Sequence, residues 1–221
     1  ALHAVQLSIE GQAMLETEDL VLADIRDRRR LEQVFSKYRP DVVFHAAALK
    51  HLPLLERYPG EALQTNVQAT VNVLDLADRF GVDRFVNVSS DKAANPISVL
   101  GYSKRLSERL TAFYASQSRG RYMSVRFGNV LGSRGSVLTA FHQQIMAGAA
   151  LTITHPDVSR YFMTVEEAVE LVIQAGAIGG DGNAMVLDMG QPVRIVDIAR
   201  RLASKAGREA KIRFTQLRPG E

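Results

Sequence analysis

The apolar run Arg84–Val88 stops on Ser89-Ser90-Asp91-Lys92, and after a short loop Leu100-Gly101-Tyr102-Ser103-Lys104 opens a helix. An apolar run of this length, bounded by polar residues, reads as a buried strand. A strand that delivers two hydroxyls, an acid and a base ahead of a helix points to an open parallel α/β sheet. In such sheets ligands bind outside the carboxyl ends of the strands. Ser89, Ser90, Asp91, Lys92 and Lys104 then line one crevice. Packing does not explain Ser-Ser-Asp-Lys, because none of these side chains fills a core. The plain alternative is that the serines and aspartate cap a helix and Lys92 is solvated. For an isolated four-residue string that alternative would prevail; here the surroundings outweigh it.

Those surroundings alternate between strand and helix patterns. Leu20–Ala23 is a short strand candidate. Arg28–Tyr38 has the helical period, with Leu31, Val34 and Phe35 inward. Val42–Ala48 is a strand that runs into small residues. Gly60–Phe80 is a long helix with Ala62, Val67, Thr70, Val71, Leu74 and Ala77 on its apolar face. Helix Leu100–Ser118 and strand Tyr122–Phe127 follow, and a glycine-rich loop over residues 128–136 leads into helix Val137–Met146. Further on are strand Leu151–Thr154, helix Val165–Ala175, strand Met185–Met189, helix Val196–Ala206 and strand Ile212–Phe214. Thr164 with Glu167 three residues later is a capping-box pattern. Strand–helix alternation over the first two thirds predicts a Rossmann-like, doubly wound parallel α/β sheet. The last third reads as a smaller mixed α/β part. The expected division is 1–127 for the sheet domain and 128–221 for a substrate-binding part interleaved with the last strands.

The 221 residues are 46% hydrophobic and 23% charged, ordinary for a soluble domain, with a net charge of +3. No basic run with interleaved aromatics argues for nucleic acid. Cysteine is absent, which removes disulfides, thiol nucleophiles and thiolate metal sites and is compatible with the cytoplasm. No apolar stretch reaches membrane-spanning length and no signal peptide opens the chain.

Three further stretches bear on the crevice. Ala46, Ala47 and Ala48 let backbone approach a ligand closely at a strand end, or pack tightly against a helix. Lys50 and His51 place two polar groups beside them. The loop from Gly128 sits at a strand-to-helix transition, where backbone N–H groups can receive anionic oxygens. Asn66 lies in the long helix, and periodicity leaves open whether it is buried with partners or faces solvent.

Together these strings identify a family. Ala23–Asp27, His45–Pro53, Thr65–Val67, Val88–Ala93, Arg126–Ser133, Arg160–Thr164, Leu187–Gly190 and Arg218–Glu221 occur in order along the chain. Each is weak alone; the ordered set is specific. The chain resembles an extended short-chain dehydrogenase/reductase, and more closely the bacterial nucleotide-sugar 4,6-dehydratases of polysaccharide biosynthesis. The resemblance implies NAD as cofactor, with Asp24 and Ile25 at the adenine and Ala46, Ala47, Ala48, Asn66, Ser89 and Lys104 along the cofactor. It implies a UDP-sugar substrate held by Lys50, His51, Asn129, Ser136, Arg160, Arg218 and Glu221. Ser90, Asp91, Lys92 and Lys104 are the implied catalytic residues, with Asp91 and Lys92 as acid and base of the dehydration. UDP-N-acetylglucosamine is the family's commonest substrate. A homo-oligomer in the cytoplasm, with membrane attachment of a longer parent protein, completes the expectation.

Two departures from the family pattern stand out. No glycine-rich turn for the NAD pyrophosphate precedes residue 24, and the next strand is also missing. The chain therefore reads as an interior fragment, expected to bind NAD poorly alone and to be marginally stable. The second departure is the catalytic tyrosine of Tyr-x-x-x-Lys: four residues before Lys104 stands Leu100. Tyr102 is two residues away, nearly opposite on a helix turning about 100° per residue, and its expected role is packing. A subgroup of these dehydratases, which includes large membrane-anchored members, has an apolar residue at this position. What accepts the sugar O4 proton stays open between Ser90, Asp91 and water. A C5-inverting dehydratase, an epimerase and a non-catalytic nucleotide-sugar-binding domain are the alternatives. The Asp91-Lys92 pair favours dehydration, since simple 4-epimerisation needs no acid at O6.

Overall fold

The computed structural model describes residues 2–12, 14, 16–133 and 136–217, with only the backbone of Ala4. The chain runs α1 (Leu2–Glu10), α2 (Arg28–Tyr38), β1 (Val42–His45), α3 (Leu52–Arg57), α4 (Pro59–Ala62), a π-helical segment (Leu63–Gln68) and α5 (Ala69–Arg79). Strand β2 (Arg84–Val88) ends in a 3-10 turn (Asp91–Ala93), followed by α6 (Val99–Ala115), β3 (Arg121–Arg126), β4 (Asn129–Val130) and α7 (Val137–Met146). Then come β5 (Leu151–Ile153), β6 (Ser159–Arg160), β7 (Phe162–Met163), α8 (Val165–Ile178), β8 (Ala184–Val186), β9 (Val193–Arg194), α9 (Ile195–Lys205) and β10 (Ile212–Phe214).

The main sheet has the order β1-β2-β3-β8 and every pairing in it is parallel. Successive residues of a strand face opposite sides, and the core follows that rule. Phe85 and Tyr122 pack with Leu31, Phe35, Val73 and Leu74 of α2 and α5. Their neighbours Val86 and Met123 pack with Ala168 and Ala175 of α8 on the other side. Both faces of the central strands β2 and β3 are covered, as their near-continuous apolar runs require, whereas Val42 and Phe44 of β1 and Val186 of β8 are exposed. A third cluster joins α7, β5 and α9 through Phe141, Leu151 and Ile195. At Gly176, a Cβ would stand 3.0 Å from Val86 Cγ2, so α8 lies close on the sheet because it has no side chain there.

Several boundaries differ from the sequence reading. Leu20–Ala23 is not a strand. Among the described residues no strand pairs with it, and backbone groups without a ladder partner turn to solvent; Leu22 is 83% exposed. The strand expected to reach Ala48 ends at His45, and that expected over Met185–Met189 spans Ala184–Val186. The long helix is broken by the π-helical segment. After it α5 buries Val73 and Leu76 beside the expected Thr70, Leu74 and Ala77, while the expected Val67 and Val71 are only half-buried. The capping box at Thr164 and Glu167 is present in both directions. Among the described residues no helix is long and apolar enough to cross a membrane.

Phe85 is fully buried, with its ring centroid 5.4 Å from that of Tyr122. Phe85→Ala is expected to destabilise the protein by about 3–5 kcal/mol. Urea unfolding of the two proteins measures this, and a loss below about 1 kcal/mol would show that the site collapses around the missing ring.

Candidate active site

Parallel register sets the site. His45, Asn87 and Ser124 are cross-strand partners, so β1, β2 and β3 end at one level and their following loops meet. A cavity of about 410 Å³ lies there. Its wall includes Ala46, Ala48, Lys50, His51, Ser89, Ser90, Lys92, Leu100, Lys104, Asn129 and Ser136. Residues separated by up to ninety positions in sequence thus share one wall, as the sequence reading expected for these members of the set.

The turn after β2 is pinned by backbone. Ser89 N–H donates to the Val125 carbonyl at 2.8 Å and Asp91 N–H to that of Phe127 at 3.1 Å, which prolongs the β2–β3 ladder. Ser90 caps the 3-10 turn by accepting from the Lys92 N–H, and its hydroxyl donates to Asp91 Oδ1 at 2.9 Å. Lys92 Nζ donates to the same Oδ1 at 2.9 Å. Both side chains keep some solvent access, 32% for Lys92 and 22% for Asp91. The capping alternative is therefore half right: Ser90 does cap, but the long helix is capped by Ser98, and Asp91 pairs with Lys92, which itself borders the cavity. Gly101 explains how α6 reaches this turn, since a Cβ there would meet the Lys92 carbonyl oxygen at 2.6 Å.

Helix α6 aims Lys104 at the carbonyl that closes β2, with Nζ donating to Val88 O at 2.8 Å. Burial pushes the Lys104 ammonium down to about 8, and the nearby Glu108 carboxylate offsets part of that. One turn earlier, Leu100 borders the cavity and packs against Leu55 and Ala62. Tyr102 is 57% exposed, so its expected packing role is corrected: it faces away from the core. Glu108 is a residue the sequence reading missed. Its carboxylate accepts from Ser89 Oγ at 2.6 Å and from Arg126 Nε and Nη2 at 2.7 and 2.6 Å. This contact holds the Arg126 guanidinium firmly charged. The spacing Lys104-x-x-x-Glu108 puts both on one helix face and was the available signal.

Asn66 is buried, which decides the alternative left open by periodicity. Its carbonyl accepts from Leu49 N–H at 2.8 Å, and its amide donates to Leu49 O and Ser103 Oγ. It clamps the loop after β1 to α6 and does not border the cavity. Thr70 donates to the Asn66 backbone carbonyl, so its oxygen must accept from His45 Nε2, 3.0 Å away. His45 is thereby held as the Nε2–H tautomer. Burial, and secondarily the charge of Lys104, push its protonation down to about 4.

The remaining expected residues divide. Asn129 borders both this cavity and a neighbouring one of about 230 Å³ that includes Arg160. Ser136 caps α7 at the cavity edge. Ala47 is not in the wall, and neither is Asp91, which was expected to line the crevice: it stands behind Ser90 and Lys92, accepting from both at 2.9 Å. Asp24 and Ile25 are not brought to it either: Asp24 is occupied by Arg26, which donates from its backbone, Nε and Nη2, and Ile25 packs against the core. Arg218 and Glu221 lie outside the described residues.

A parallel sheet wound on both faces, with a helix lysine reaching the carboxyl end of a central strand, defines a Rossmann-fold protein of the short-chain dehydrogenase/reductase type. The family model described as "Polysaccharide biosynthesis protein" matches residues 2–221, and the chain belongs to that family. It is 45% identical over 228 residues to the probable polysaccharide biosynthesis protein EpsC of Bacillus subtilis, covering 100% of this chain and 38% of that protein. It is 46% identical over 205 residues to the capsular polysaccharide biosynthesis protein CapD of Staphylococcus aureus, covering 91% and 34%. The chain thus spans little more than a third of these curated relatives. Among solved structures, Pen from Bacillus thuringiensis superposes with a TM-score of 0.84 at 34% identity, covering 91% of this chain and 63% of that one.

His45 yields an acid-linkage prediction. Its folded-state protonation lies near 4 against an ordinary 6.5, so the unfolded chain binds more protons between those values. Stability present above pH 6.5 is lost as pH falls toward 4, by about 3 kcal/mol in full. In urea unfolding, His45→Gln should gain on the wild type by that order as pH drops from 7 to 4. A difference that does not vary with pH would show that His45 is not held neutral.

Proposed function

We propose that the cavity is the active site of a nucleotide-sugar 4,6-dehydratase that uses NAD and acts on a UDP-N-acetyl-hexosamine in polysaccharide biosynthesis. The observation that carries this reading is the Asp91–Lys92 pair, joined at 2.9 Å, with the Asp91 N–H bonded to the Phe127 carbonyl just after β3 and Lys92 in the cavity wall. Dehydration across C5–C6 needs a base at C5 and an acid at O6 together. Family membership supports the same reading.

The residues present fit the cofactor's reactive end. Ala46 and Ala48 offer only methyl groups to the wall, and Lys104 and Ser89 bring polar groups to the strand ends. Lys104 would hold the ribose and Ser89 would lie beside it. When bound, NAD supplies hydride acceptance from the sugar C4 and hydride return to C6.

The chain's own residues move the protons. The O4 proton passes to Ser90 and through its 2.9 Å hydrogen bond to Asp91. The C4 ketone acidifies C5–H, and neutral Lys92 takes that proton. Asp91 gives its proton to O6, and the C6–O6 bond breaks with release of water. Lys92 then returns a proton to C5 and is neutral again, while Asp91 is again ionised, so the pair ends as it began. Leu100 takes no part in proton transfer; the turn after β2 assumes the task that a tyrosine at this position would perform. Lys50, His51, Asn129 and Ser136 would hold the nucleotide-sugar around the cavity, and Arg160 would reach it from the neighbouring cavity.

The test is proton NMR of UDP-N-acetylglucosamine turned over in heavy water by the full-length protein with catalytic NAD. A new C6 methyl signal with deuterium at C5 is the expected result, and its C5 configuration reports retention or inversion. Asp91→Asn should lower kcat by at least about 100-fold. A C4 epimer without a methyl signal would make the protein an epimerase, and binding without any product would make it a nucleotide-sugar-binding domain.

A further inference from the structure

The carboxylate of Glu108 is unusual for its burial. Its side chain is 4% exposed, and three donor atoms converge on it from two other elements. A charge buried this deeply is retained only with its partners in place. Two of those donors belong to Arg126, the last residue of β3, directly before Phe127 and Gly128 of the cavity wall. The third is Ser89, the residue between Val88 and the Ser90-Asp91-Lys92 turn. On α6, Glu108 stands one turn beyond Lys104, whose Nζ is fixed to Val88 O. One carboxylate therefore joins the ends of β2 and β3 to the helix that carries the buried lysine.

We propose that Glu108 is a positioning residue of the active site. Through Ser89 it holds the Ser90-Asp91-Lys92 turn in register with Arg126, and from one turn along α6 its negative charge opposes loss of the Lys104 proton. The proposal rests on the dehydratase reading for its effect on rate, but its electrostatic part does not.

The groups acting on Lys104 can be named element by element. Glu108 favours its charged form. His45 of β1 interacts with it but is neutral above pH 6.5. Arg105 of α6 approaches Glu108 at 3.6 Å, and Arg126 of β3 is paired to Glu108. Asp91 and Lys92 of the turn are hydrogen-bonded to each other at 2.9 Å. Glu108 is thus the anion that matters most to Lys104. Burial alone opposes the ammonium, so removing the carboxylate charge must lower the pH at which Lys104 loses its proton.

The experiment is a titration of Lys104 by NMR in the full chain labelled at the lysine ε-carbon, with the signal assigned by its loss in Lys104→Arg. The wild-type midpoint is expected near 8. In Glu108→Gln it should fall by about 1 unit, and the alkaline limb of kcat should move acidward equally. In the same variant kcat should fall about ten-fold with KM changed less than about two-fold. An unmoved midpoint, or a kcat loss that only follows a lowered Tm with the limb in place, overturns the proposal. Ser89→Ala separates the two roles and serves if Glu108→Gln does not fold. It keeps the carboxylate and Arg126, so kcat should fall while the Lys104 midpoint stays; wild-type kcat in that variant overturns the positioning role. If the wild type turns over no nucleotide-sugar, the dehydratase reading fails while the titration still decides the electrostatic role.

Discussion

The parallel register of β2 with both neighbours is the constraint on which the site depends. Because His45, Asn87 and Ser124 are partners across three strands, the chain leaves all three strands at one edge. A shift of one residue in either pairing would reverse the faces of Phe85 and Val86 or of Tyr122 and Met123. Each of those four side chains is fully buried, so such a shift would break the core on both sides of the sheet. Core packing thus fixes the height of the strand ends, and the strand ends fix where Ala46, Ser89 and Asn129 stand relative to one another.

Above that apolar core the same elements carry an uncommon amount of buried polarity. His45, Thr70, Asn66 and Ser103 are buried and form one chain of hydrogen bonds that ends on the backbone of Leu49. Lys104 and the Glu108–Arg126 pair form a second group against β2 and β3. Apolar residues of similar size would stabilise these positions as well or better. What the polar residues supply is a defined geometry: Asn66 ties the loop after β1 to α6, and Glu108 ties the turn after β2 to β3. The π-helical segment belongs to this arrangement. It places Asn66 where its amide meets both Leu49 and Ser103, at the expense of helical regularity that the sequence alone would predict.

Much of this was legible in the residues. Helix α2, strand β2 and helix α7 follow directly from period and punctuation, because each carries its buried apolar residues where the pattern put them; strand β10 was also read, although it is largely exposed. The turn Ser89–Lys92 announces itself since no packing argument accounts for it. What was not legible depends on contacts across the chain. Leu20–Ala23 has the composition of a strand, but strands are made by neighbours and none among the described residues pairs with it. The face of α5 was legible at Thr70, Leu74 and Ala77, but the π turn leaves no mark in hydrophobic period, and Val73 and Leu76 join the core unannounced. Glu108 and Arg126 look like solvated helix and strand-end charges until the fold places them 2.6 Å apart.

The exchange of a tyrosine for Leu100 makes sense in this setting. A phenol beside Lys104 would offer a proton-transfer group on the helix. Leu100 instead joins Leu55 and Ala62 in a small apolar cluster beneath the cavity. That lowers local polarity around Lys104, whose burial already disfavours its charge, and leaves Glu108 as the principal group opposing deprotonation. Proton chemistry then has to reside where hydroxyl, carboxylate and amine are already hydrogen-bonded in sequence, on Ser90, Asp91 and Lys92. The helix orients and the turn reacts; the close approach at Gly101, which tolerates no Cβ against the Lys92 carbonyl, keeps the two in fixed relation.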